Sequence, residues 1–173
     1  MSSAMPVITT QNAGENLWFG GGLLTFKVTS EQSGGELCVF EHAASRGKRT
    51  PLHLHADSDE TFYLFEGEVL LHIDGVEHTA VPGTIVSIPR GIPHAFLVIS
   101  ELARSLWFVT PGQPMEAFYR QAGDAAASRT LPRAEIDIER LRAVGEGTGA
   151  MKLLGPPPFP AAVLAQEDRA GLK

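Results

Sequence analysis

The chain has 173 residues, 43% of them hydrophobic and 20% charged, with a formal net charge of -6. That length suits one domain with a substantial core. The acidic balance, without a Lys/Arg block, argues against nucleic acid or an anionic membrane as partner, and no run reaches the about 18 apolar residues of a membrane helix.

Residues 1–16 are polar and are expected to form a flexible N-terminal arm. They lack a charged segment followed by an apolar run, so no signal peptide is expected. Leu17, Trp18 and Phe19 precede three glycines and read as a hydrophobic plug followed by a turn. Residues 23–29 and 36–43 have strand composition, with a Ser-Gly-Gly loop between them. The second of these holds Cys38, the single cysteine, which cannot form an intrachain disulfide. A packed thiol and a reducing cytoplasm are the expectation.

From residue 51 onward short strands follow one another at 53–55, 60–65, 68–74, 76–80, 84–88, 96–99 and 105–110. Turn signals separate them: Asp57-Ser58-Asp59, Glu66-Gly67, Pro82-Gly83 and Pro89-Arg90-Gly91. Asp74-Gly75 is a two-residue hairpin signal. Close-spaced strands without intervening helices predict an all-β fold, a barrel or jelly roll over residues 17–112. No internal repeat appears, so one barrel is expected.

Beyond Pro111, residues 113–173 read as a C-terminal extension packed on the barrel or against a second subunit. Residues 115–120 and 122–128 are helix-prone, and Ile138, Leu141 and Val144 share a helical face farther on. The proline-rich stretch 155–160 is expected to be extended.

Residues two apart in a strand face the same way, so His53 and His55 project together. After a short acidic turn, Glu60 begins the returning strand and brings a carboxylate beside them. His94 follows the turn at Pro89-Arg90-Gly91 and adds an imidazole from another strand. Three neutral imidazoles and one carboxylate suit a divalent transition metal (Fe, Ni, Co, Mn or Zn) with a coordination position left open. The lining expected from strand parity is apolar: Phe62 and Leu64 beside Glu60, Phe96 and Val98 beside His94. His72 and His78 are expected to be solvated, and His42 is given no role.

The same residues resemble the two motifs of the cupin superfamily. Gly47, His53, His55, Glu60 and Gly67 match every interval of the first motif. Gly83, Pro89, Gly91 and His94 match the second, while Val98 stands where asparagine is usual. The resemblance implies a single cupin jelly-roll β-barrel with a short helical C-terminal extension, binding its metal through His53, His55, Glu60 and His94.

Further likeness extends to the single-domain quercetin dioxygenase-like proteins of bacteria, through the Trp-Phe-Gly opening, the Ser-Gly-Gly loop and the Gly-Pro-Pro-Pro end. It implies a dioxygenase that cleaves a flavonol-like aromatic substrate with O2, with copper added to the metals such a site uses. Glu60 would then be both ligand and general base. The partners expected are a small apolar aromatic substrate and O2, in a homodimer. Two rival readings are an oxygen-independent isomerase or lyase and a non-catalytic metal-binding cupin.

Overall fold

Strand Leu102–Thr110 alternates cleanly, with Ala103, Ser105, Trp107 and Val109 buried and their neighbours more exposed. That period of two runs through most of the chain and sets which side chains meet inside. The computed structural model describes residues 4–132, 136–160 and 163.

In chain order the strands are β1 (Asn16–Phe19), β2 (Gly22–Val28), β3 (Cys38–Ser45), β4 (Leu52–His55) and β5 (Asp59–Glu66). There follow β6 (Val69–Ile73), β7 (Val76–Ala80), β8 (Ile85–Ile88), β9 (His94–Val98) and β10 (Leu102–Thr110). Helix α1 (Gln113–Ala122), β11 (Asp124–Ala125), α2 (Ile138–Thr148) and β12 (Met151–Gly155) complete the described elements. Among the described residues, one sheet has the order β11-β1-β2-β3-β10-β5-β8 and the other β12-β4-β9-β6-β7. All pairings are antiparallel. This is the expected all-β jelly roll, its inner faces enclosing the main core. No described helix is long and apolar enough to cross a membrane.

Local chemistry explains the turns. Asp74 and Gly75 both have positive φ, 49° and 81°, as the tight hairpin between β6 and β7 requires. Residues 4–13 run over the surface, tied down by the Lys27 ammonium, which donates to the carbonyls of Thr10, Gln11 and Ala13. Cys38 is fully buried, and burial raises its thiol far above the ordinary range, so it is inert packing.

The C-terminal third departs from the sequence expectation in three places. Helix α1 stops at Ala122 instead of continuing through residue 128, because Gly123 turns extended and Asp124–Ala125 pair with β1. Sheet pairing overrides the helical propensity of the alanines there. In α2, Asp137 caps the first turn by accepting from the Arg140 amide at 2.9 Å. That start sets the phase: Leu141 and Gly145 are buried, Val144 packs against the core, and Ile138 faces outward. Ile136, just ahead of the cap, packs inward instead. Finally, residues 151–155 form β12, a strand that the sequence did not announce, paired along β4. The proline-rich end then carries Phe159 onto Ala95 and Leu97, the outward side of β9.

Candidate metal centre

His53 and His55 are buried on the inner side of β4, and His94 on that of β9. The register pairs His53 directly with His94. Their ring centroids lie 4.3 Å apart, with His55 at 5.0 Å from His53 and 5.2 Å from His94. The three rings offer ligand nitrogens within 4.8 Å of one another. Glu60 comes from β5, in the other sheet, and its Oε2 stands 3.3 Å from His55 Nε2 and 3.4 Å from His94 Nε2. The four residues named from the sequence therefore meet, with the barrel closed around them.

Hydrogen bonds decide which nitrogens face inward. His53 Nδ1 donates to the Pro51 carbonyl at 2.8 Å, and His94 Nδ1 to the Ile92 carbonyl at 2.8 Å. His55 Nδ1 faces the Ala150 carbonyl at 3.3 Å. A carbonyl can only accept, so each Nδ1 carries the proton and each Nε2 keeps its lone pair. His55 Nε2 and His94 Nε2 are buried without a hydrogen-bond partner among the described residues. Orphaned buried acceptors are rare, and lone pairs aimed at one point beside a carboxylate fit a divalent cation. The donor set of three imidazoles and one carboxylate is that of Fe, Ni, Co, Mn, Cu or Zn.

Burial and charge oppose each other in this cluster. Burial raises the Glu60 carboxyl, but the His55 and His94 imidazoles outweigh it and hold the group well below its ordinary range. Burial lowers His55, yet the Glu60 charge beside it prevails and the ring ends above its ordinary value. His53 is drawn well below that value, first by burial and then by the two neighbouring imidazoles. Tyr119, from α1, donates its hydroxyl to Glu60 Oε1 at 3.0 Å and is pushed well above the usual tyrosine range by burial and by that carboxylate. Its proton is therefore fixed on oxygen, available to orient Glu60.

His53, His55, Glu60 and His94 line a cavity of about 660 Å³, counting its open mouth. Phe19, Phe40, Phe96, Trp107 and Phe118 form much of its wall. Of the four side chains expected to line it, only Phe96 does so. Phe62, Leu64 and Val98 are buried in the core instead, Phe62 stacked on Trp107 with centroids 4.5 Å apart. Parity placed them on the core side correctly, but facing the core does not by itself bring a side chain to the void.

Sequence reasoning missed several lining residues. His42 is buried edge-on to Phe96 and Trp107, and burial with the nearby Lys48 charge lowers it to about 3. It is thus neutral. Lys48 is itself in the wall, as are Met115, Tyr119, Ile136, Leu141 and Met151 from beyond the barrel strands. The inward alternation of β3 carried the signal for His42; nothing local marked the rest. His78 is exposed as expected, whereas His72 is half-buried with an unpartnered Nδ1.

Residues 40–110 match the cupin domain family. The chain is 26% identical over 129 residues to quercetin 2,3-dioxygenase of Bacillus subtilis, covering 75% of this chain and 38% of that protein. It thus spans well under half of that relative's length. Among solved structures, the polyketide cyclase RemF from Streptomyces resistomycificus superposes with TM-score 0.54 at 20% identity, over 62% of this chain and 80% of its own. An RmlC-like cupin from Shewanella frigidimarina gives TM-score 0.54 at 17% identity, over 64% and 95%. At such identities these structures establish the fold alone.

Proposed function

Because this chain carries a cupin domain, we propose that it is a metal-dependent dioxygenase that cleaves a flat, flavonol-like aromatic substrate with O2. One observation carries the reading: imidazoles whose Nε2 lone pairs face the Glu60 carboxylate stand in an aromatic-walled cavity. The likeness to the Bacillus subtilis quercetin 2,3-dioxygenase supports it.

A divalent metal held by His53, His55, Glu60 and His94 would supply Lewis acidity and a template for substrate and dioxygen. The protein's own part is proton handling, orientation and exclusion of water. Glu60 is ionised at neutral pH because its carboxyl is held low, so it can accept the hydroxyl proton of a bound substrate. A carboxyl held that low is a weak base; the transfer requires a hydroxyl already acidified by the site. Tyr119 keeps Oε1 engaged and thereby fixes the orientation of the carboxylate. Phe96, Trp107 and Phe40 offer ring faces and edges against which a planar aromatic can rest.

Oxygen uptake with quercetin tests the proposal, using protein loaded separately with Fe(II), Ni(II), Co(II) and Mn(II). Uptake with one metal, abolished in Glu60→Gln, is the expected result. Absence of uptake by fully metallated protein would reject the activity and leave the metal centre in place.

A further inference from the structure

The cavity contains one group that flavonol chemistry leaves unused. Lys48 lies in the loop between β3 and β4, where Gly47 N donates to Val98 O at 3.0 Å and Val98 N to Lys48 O at 2.8 Å. These bonds stitch the loop to the end of β9 and turn the lysine side chain into the barrel. The residue is only 9% exposed, and its ammonium nitrogen stands 5.4 Å from the centre of the Phe96 ring. Among the described residues it has no carboxylate or carbonyl partner.

Lys27 shows how this chain treats a lysine that serves structure. Its ammonium donates to three carbonyls and pairs with Glu41 at 3.3 Å. A buried ammonium left with one aromatic face is far from satisfied, and such groups are retained where a ligand completes them. The turn above it makes room: at Gly20, with φ of 54°, a Cβ would come within 3.0 Å of the Lys48 nitrogen. The other polar groups of the cavity are His42, His53, His55, His94, Glu60, Tyr119 and Thr50. His42 is neutral, and Glu60 is engaged with His55, His94 and Tyr119. Among the described residues, therefore, no anion neutralises the amine.

We propose that Lys48 is the specificity residue of this cavity, selecting a flat aromatic substrate that carries an anionic oxygen, a carboxylate, phenolate or enolate, for the ammonium to hold. The inference rests on the cavity being the substrate site and requires no dioxygen chemistry. Desolvation lowers the empty-site amine to about 7, so an anion bound above that pH brings a proton with it from solvent onto Nζ. A charge-assisted hydrogen bond of this kind corresponds to about a tenfold to hundredfold preference over a neutral isostere.

The test compares 2-naphthoate with 2-naphthamide by calorimetry on the full chain at pH 8, metal-free and Co(II)-loaded, in buffers of different ionisation enthalpy. The expected result is at least tenfold tighter naphthoate binding with proton uptake, in both forms. Lys48→Met should remove the preference and the uptake while naphthamide binding is unchanged, and Lys48→Arg should restore the preference. Equal affinities in the wild type, no naphthoate binding, or a preference that survives in Lys48→Met would overturn the proposal. So would a borohydride-trapped adduct on Lys48 with an aromatic aldehyde and no anion preference, which would make the amine a nucleophile. Loss of quercetin turnover alongside an intact naphthoate preference would reject the dioxygenase reading alone.

Discussion

The stretch from His53 to His94 and the segment from Gln113 to Gly155 build the same cavity by opposite means. The first contributes the groups with reactive chemistry: His53, His55, Glu60 and His94, buried within a few ångströms of one another. Among its described residues, the second adds none to that cluster. Its Tyr119 hydroxyl holds Glu60, its Ala150 carbonyl faces His55 Nδ1, and Met115, Phe118, Leu141 and Met151 close the wall. One region bears charge where charge is unfavourable, and the other supplies the apolar enclosure and fixed dipoles that give that charge direction. Changes in the first should therefore remove function outright, while changes in the second should loosen it by degrees.

The sharpest break is His55→Ala, which removes one of three converging imidazoles. Elemental analysis is expected to show loss of bound metal, with turnover falling below detection while the strand content by circular dichroism is kept. Glu60→Gln is the next largest: turnover is expected to fall about 10²- to 10⁴-fold, as for loss of a general base. Metal content measured on the same sample separates the base from the ligand role, since a metal-replete but inactive protein isolates the proton transfer.

Lys48→Met probes a second buried charge, in the loop that leads into the first region. The folded-state amine is lowered to about 7 from its ordinary 10.5, so the unfolded chain binds the extra proton between those values. Stability therefore rises with pH through that window, and the penalty is full below about 7. Thermal melts should find Lys48→Met more stable than wild type by up to about 5 kcal/mol at pH 6. The gap should close by about pH 10; a variant no more stable at pH 6 would contradict the picture.

In the second region effects should be graded. Tyr119→Phe leaves Glu60 Oε1 without its donor, and a 10- to 100-fold loss in metal affinity or activity is expected, with the melting temperature little changed. Gly145 packs α2 against β12, and a Cβ there would meet the Met151 carbonyl oxygen at 2.6 Å. Gly145→Ala should gain up to about 1 kcal/mol of helix propensity and lose about 1–3 kcal/mol to overpacking. Net destabilisation, with a modest loss of metal because Ala150 shifts from His55, is the expected outcome by melting and metal titration.

The sequence by itself determined the jelly roll and the meeting of His53, His55, Glu60 and His94, because both depend on short-range rules. Period-two alternation sets the faces of strands, Asp74-Gly75 dictates a hairpin, and His-x-His places two rings on one side of β4. Only the tertiary structure decided the remainder. That Phe62, Leu64 and Val98 lie in the core and not along the void depends on how the closed sheets pack their inward side chains, which no periodicity encodes. Tyr119 reaches Glu60 across 59 positions and Ala150 reaches His55 across 95. Contacts so far apart in the chain form once the sheets have closed and α1, α2 and β12 have packed, and local propensity carries no trace of them.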